Sequence, residues 1–150
     1  MSIDATETLP SIVVATTITK ARVSDLLCTA FEGGMVGHWC RIYDYIEPTV
    51  VMSFSGERNV CPYTDYPLTD DGAALVYETS DDNDRRVTDG MVKRGEAKTI
   101  RLDLASVTRG LALMAEKTPR HFGDFLAGEE DAETGDVFLQ LALLGEVKYG

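Results

Sequence analysis

The 150-residue chain is short of bases, of cysteine and of long apolar runs, and each shortage closes off a class of function. Fourteen Lys and Arg stand against 25 Asp and Glu, a formal net charge of −11. A field of that sign repels nucleic-acid phosphates and anionic membranes, so direct binding to either is disfavoured unless the few bases cluster. Cys28, Cys40 and Cys61 make an odd count with no close pair, which argues against a disulfide framework. The apolar stretches run only a few residues, far short of a membrane span. Residues 1–8 carry Asp4 and Glu7 where a signal peptide needs basic and apolar residues, so a cytoplasmic protein with reduced thiols is expected.

Several catalytic and binding patterns are also missing. Gly33-Gly34-Met35-Val36-Gly37 is glycine-rich, but no Lys-Ser or Lys-Thr closes it into a phosphate cradle. Asp81-Asp82-Asn83-Asp84 lacks the glycine and the closing glutamate of a calcium loop. Only His38 and Cys40 form a close pair among Cys28, His38, Cys40 and Cys61, whereas a structural zinc site is usually built from two such pairs. His121 and Asp124 are spaced for an imidazole–carboxyl pair, yet no serine or cysteine stands in a recognisable nucleophile elbow beside them. The expectation is therefore a protein without enzymatic activity, metal or cofactor.

What is present is the composition of a soluble globular protein, 44% apolar and 26% charged, with length for one core. Residues 1–10 read as a flexible polar arm and 11–150 as one domain. The β-branched run at 12–18 fits a first strand or an extended lead-in to the next helix. Thr19 caps that helix; Val23, Leu26, Leu27, Ala30 and Phe31 share its apolar face, and Gly33-Gly34 ends it. Lys20, Arg22, Asp25 and Glu32 fall on its wet face.

Strands follow at 39–46 and 49–54, and the turn Asp70-Asp71-Gly72 leads to another at 73–79. Residues 81–86 are too polar to pack and read as an exposed loop, and 87–95 fit no single pattern. The strand at 97–102 is spaced to pair with 73–79 as a hairpin. Asp103 caps a helix with Leu104, Val107, Leu111 and Met114 on one face, which Pro119 stops. A short helix or turn at 121–127 ends at Gly128. Asp131 or Thr134 caps the last helix, whose Val137, Phe138, Leu141, Ala142 and Leu144 point inward. The order predicts an α+β fold: an antiparallel sheet of meander or hairpin type with three to four helices packed on one face.

Two groups of side chains stand out as candidates for binding. Asp124, Glu129, Glu130, Asp131, Glu133 and Asp136 form a dense acidic lip, and the segment from His121 onward holds seven acids against one lysine. Part of that charge suits a helix N-terminus, where acids stabilise the macrodipole. Trp39, Tyr43 and Tyr45 lie on one segment, where aromatics fit either a contact patch or a core with polar-tipped rims.

The stretch Ser24-Asp25-Leu26-Leu27-Cys28-Thr29-Ala30-Phe31-Glu32-Gly33-Gly34, followed by Trp39, resembles a group of small uncharacterised phage and prophage proteins. So do Pro119-Arg120-His121-Phe122-Gly123-Asp124-Phe125, then Asp131-Ala132-Glu133-Thr134-Gly135-Asp136-Val137-Phe138-Leu139-Gln140, and Gly145-Glu146-Val147 before Tyr149-Gly150. The likeness covers both helical ends more than the middle. It implies a phage setting and carries no activity, cofactor or catalytic residue.

Charge and resemblance together lead to an acidic, phage-encoded accessory protein that binds a host protein; in the sharpest version that host protein has a basic nucleic-acid-binding cleft, and carboxylates stand in for phosphates. Such a protein would inhibit a nucleic-acid-targeting defence system. The rivals are a nucleotide-binding protein or simple enzyme, using Arg41, Arg58, Arg101 or Arg120 near tyrosines, and a virion or assembly component. An exposed apolar face on the last helix would mark a homodimer.

Overall fold

The computed structural model describes residues 5–56, 59–79 and 98–150. Helix α1 (Lys20–Glu32) begins at Thr19, whose hydroxyl accepts from the Arg22 backbone N–H at 3.2 Å. Its buried residues include Val23, Leu26, Leu27 and Ala30, the expected face, with Phe31 partly buried beside them. A 3-10 turn (Val36–His38) leads into strand β1 (Cys40–Ile46). One turn of helix, α2 (Pro62–Asp65), continues as a 3-10 turn (Tyr66–Leu68) and precedes β2 (Ala73–Glu78). Strand β3 (Ile100–Leu102) is followed by α3 (Leu104–Lys117), α4 (Pro119–Leu126) and α5 (Ala132–Leu144).

The described strands form one antiparallel sheet of order β1-β2-β3, so the fold is α+β, as the sequence predicts. The expected pairing of the strands around 73–79 and 97–102 is that of β2 with β3, Val76 facing Ile100. Cys40 and Ile42 of β1 join the helical core, together with Ala74 and Val76 of β2 and Ile100 and Leu102 of β3. The β1–β2 register shifts between Ile42 and Asp44, and this bulge re-aims the strand. Tyr45 consequently joins the core, while the Tyr43 ring meets Tyr77 edge-on.

The expected strand at 49–54 does not form, and of the two readings of 12–18 the strand fails while the lead-in to α1 stands. Residues 12–18 belong to no element, and all but Ile18 are exposed. Residues 49–54 also lie outside the sheet, with carboxyl groups taking the backbone donors at both ends. The Thr49 N–H donates to Asp71 Oδ1 at 3.0 Å, and the Phe54 N–H donates to Asp65 Oδ1 at 2.9 Å. Pro119 starts a helix instead of only ending one: Thr118 breaks α3 and Pro119 opens α4, where a missing N–H costs nothing. The readings of 81–86 and 87–95 lie outside the described residues, as do residues 1–4 of the arm.

Helix α5 is the spine. Asp131 is its N-cap, accepting from Thr134 N–H at 2.9 Å, and Gly145 (φ +76) ends it. Every residue from Thr134 to Leu143 is buried, because α1, α3, α4 and β3 all pack against it. Burial of Phe138, Leu139 and Leu141 contributes about 1.5–3 kcal/mol each. The last helix thus leaves no free apolar face to mark a dimer, and only Leu144 of its expected inward residues is half-exposed.

Close helix approach depends on absent side chains. A Cβ on Gly135 would stand 2.7 Å from Ala30 Cα, and one on Gly110 would stand 2.6 Å from Ala142 Cβ. Gly123, on the outside of α4, has nothing within 4 Å of a built Cβ. Gly135→Ala should therefore destabilise by about 1–3 kcal/mol through overpacking. Gly123→Ala should stabilise by about 0.5–1 kcal/mol through helix propensity. Denaturant unfolding of the two variants checks the pair, and equal effects would contradict the packing described.

Candidate partner-binding site

The acidic lip begins where α4 ends. Gly128 (φ +74) takes the left-handed conformation, its N–H donates to Phe125 O, and the Glu129 N–H donates to Asp124 O at 2.8 Å. This closing motif turns the chain outward at Glu129. From there burial alternates: Glu129, Asp131 and Glu133 are exposed, whereas Glu130 and Ala132 are partly buried. Asp124 is half-buried one turn back on α4.

Glu130 points inward and is spent on an ion pair. Its side chain is 7% exposed and meets Arg22 Nη2 at 2.8 Å. The same Arg22 donates to Phe125 O at 2.9 Å and to Asp25 Oδ2 at 3.0 Å, and its guanidinium stands 5.2 Å from the Phe125 ring centroid. Arg22 therefore ties α1 to the α4–α5 turn and braces the lip from below. Its expected place on the wet face of α1 is corrected accordingly. Helical spacing identified the side of the helix, but it held no signal for a residue 108 positions away.

Asp136 leaves the lip altogether. It is 7% exposed, accepting from Trp39 Nε1 at 2.6 Å and from Gln140 Nε2 at 3.0 Å. Gln140, fully buried, also accepts from the Lys148 and Tyr149 N–H groups at 2.8 Å each and donates to Tyr149 O at 3.0 Å. The Tyr149 ring stacks on Trp39 at 5.5 Å, and its hydroxyl donates to Glu78. Trp39 is thus a core residue and no contact candidate. Tyr43 and Tyr45 are half-buried, each in edge contact with another tyrosine, Tyr77 and Tyr66.

The remaining chemical candidates have structural occupations. His121 Nδ1 lies 3.0 Å from Thr134 Oγ1 and Nε2 lies 4.0 Å from Glu133, so the ring engages α5 instead of Asp124. The Cys28 thiol is pushed up to about 11, first by its hydrogen bond to Glu32 and then by burial. Burial pushes Cys40 up to about 12. Thiols held protonated in this way are poor nucleophiles and poor metal ligands near neutrality. Among the described residues, no group of three or more His, Cys, Asp or Glu is placed to hold a metal ion. No helix among them is long and apolar enough to cross a membrane. Arg41, Arg101 and Arg120 are exposed, and Arg101 is paired with Asp103 at 2.8 Å; Arg58 lies outside the described residues. A cleft of about 240 Å3 lies between Lys20, Val50, Phe54 and Asp70, and contains none of these arginines.

No family model, curated protein or solved structure matches this chain.

Among the described residues, five carboxylates of the fold sit below their ordinary range: Glu32, Asp71, Glu78, Asp103 and Asp131. In Asp131 the Thr134 backbone N–H is the main cause. In Asp103 burial pushes the other way, but hydrogen bonds from Ser106 and Arg101 outweigh it. In Glu78 the Tyr149 hydroxyl dominates. A folded value below the unfolded one means that the unfolded chain binds more protons as pH falls. The stabilisation is complete above the unfolded values and disappears as pH drops through the folded ones. Stability should hold from neutrality down to about pH 5 and fall steeply below about pH 4. Asp131→Asn keeps a capping oxygen that does not titrate, so it should lose less over that window than the parent chain. Denaturant midpoints against pH check this, and parallel curves would contradict it.

Proposed function

We propose that this chain is a binding protein and not a catalyst, which docks the exposed carboxylates of Glu129, Asp131 and Glu133 onto a basic surface of a host protein. Asp124 stands beside that row. The observation that supports the reading is the alternation at 129–133, which turns three carboxylates outward while Glu130 is pinned to Arg22 beneath them. A row held in place before binding gives up little conformational entropy on docking, which an unbraced scatter of surface acids does not offer. The net charge of −11 steers the whole molecule toward cationic partners.

The sharpest form has a nucleic-acid-targeting defence protein as partner, its phosphate-binding cleft occupied by this row. The resemblance to phage and prophage proteins supplies the setting, the cytoplasm of a bacterial host. Glu130 and Asp136 take no part in it, since both are engaged inside the fold.

The test uses Glu129→Gln, Asp131→Asn and Glu133→Gln together, which keeps the helix cap. Its control is Glu116→Gln with Glu146→Gln, equally exposed and away from the lip. The immobilised parent chain should retain a nucleic-acid-binding protein from host lysate, with DNA and added salt both competing. The triple variant should bind at least tenfold more weakly and the control unchanged. Equal retention by triple variant and parent would overturn the reading.

A further inference from the structure

The exposed row has a histidine set into it. His121 belongs to α4, and its ring reaches the first turn of α5, where Nδ1 lies 3.0 Å from Thr134 Oγ1 and Nε2 lies 4.0 Å from Glu133 Oε1. The Thr134 side chain also hydrogen-bonds the Asp131 carboxylate. An ionised carboxylate only accepts, so the hydroxyl proton goes to Asp131, and the Thr134 oxygen accepts from Nδ1–H. That order fixes the neutral tautomer and leaves Nε2 as a bare acceptor on the Glu133 side.

Two acceptors thus stand 4.0 Å apart, one on a ring that is 22% exposed and one on a side chain that is 63% exposed. Either of two cations satisfies both: a proton on Nε2, or an ammonium group that donates to each. An ammonium holds two acceptors about 4–5 Å apart, which matches the gap. The two exclude each other, because an imidazolium has no acceptor left and carries the ammonium's sign. Glu133 and Asp131 are the charged groups that act on the ring from α5. On α4 itself Arg120 precedes it and Asp124 follows a turn later. Lys117 of α3 donates to Gly145 O at 3.4 Å, and Arg22 of α1 is paired with Glu130 and Asp25. Histidine is the side chain whose charge changes between about pH 5 and 8, where exposed carboxylates stay ionised.

Resting on the binding function proposed above, we infer that His121 gates the row: a proton on Nε2 takes the place beside Glu133 that a lysine ammonium of the host protein otherwise fills. Docking is then tight at neutral pH and weak in mild acid. Protonation also draws Glu133 into an ion pair with the ring, so the row loses one carboxylate and gains a positive charge. By linkage, a partner that excludes the proton expels it on binding.

An oligolysine peptide is the probe, since its ammonium groups keep their charge across the window. Its affinity for the full chain should fall about threefold or more between about pH 7.5 and about pH 5.5. Binding near pH 6 should release protons, read as a calorimetric binding enthalpy that varies with the ionisation heat of the buffer. His121→Gln should abolish both effects, and His38→Gln, at the other histidine, should abolish neither. The proton release is read on the unmodified chain and does not depend on how the variant folds. Binding without proton release overturns the gate, as does equal pH dependence in His121→Gln and the parent. If the triple variant of the row binds the peptide as the parent does, the row fails and the gate with it. Row-dependent binding that ignores pH overturns the gate alone.

Discussion

The side chain of Asp136 joins the indole of Trp39 to the amide of Gln140, and Gln140 in turn holds the backbone of Lys148 and Tyr149. Four separated parts of the chain meet in this chain of hydrogen bonds: the entrance to the sheet, the middle of α5, the terminal segment and, through Tyr149, the Glu78 end of β2. It lies inside the core, where a polar atom left unpaired costs about 1–3 kcal/mol. The groups therefore specify one arrangement of α5 against the sheet, in a way that apolar packing alone does not. Because α5 is buried on nearly every side, that arrangement fixes where α1 and α3 can lie. Gly135 and Gly110 set how closely they approach.

The same constraint divides the acidic segment. Charge density made the residues from Asp124 to Asp136 look like one feature, but the fold gives them different work. Asp136 holds the core, Glu130 holds α1 through Arg22, and Asp131 holds the N-terminus of α5. What faces outward is a short row mounted on those anchors. The binding proposal is narrower as a result, and its electrostatics rest on a braced platform instead of a flexible acidic run.

Where the physics is local, the sequence made the fold legible. The caps Thr19, Asp103 and Asp131, the apolar spacings of α1 and α5 and the pairing of β2 with β3 all follow from nearest-neighbour rules. The misses are tertiary. Residues 49–54 have strand composition, yet Asp65 and Asp71 capture their end donors. Trp39 carries a polar handle that suits a rim, and only the distant Asp136 allows it to be buried. Gln140 looked like an ordinary polar residue of a helix face; nothing in its neighbourhood announces that it grips a segment nine residues on. Of the candidate site, the sequence identified the stretch but could not separate inward from outward carboxyls, which depends on Arg22 for Glu130 and on Trp39 and Gln140 for Asp136.

Trp39 is the only tryptophan, so its indole N–H gives one resolved signal in a nitrogen–proton correlation spectrum. If its bond to Asp136 belongs to the central network, that proton exchanges with solvent only when the whole domain unfolds. Its exchange free energy should then equal the global stability from denaturant unfolding and fall with it, unit for unit, in Gln140→Leu. Rapid exchange of the indole proton in the intact fold, at a free energy well below global unfolding, would contradict the network on which the structure is said to depend.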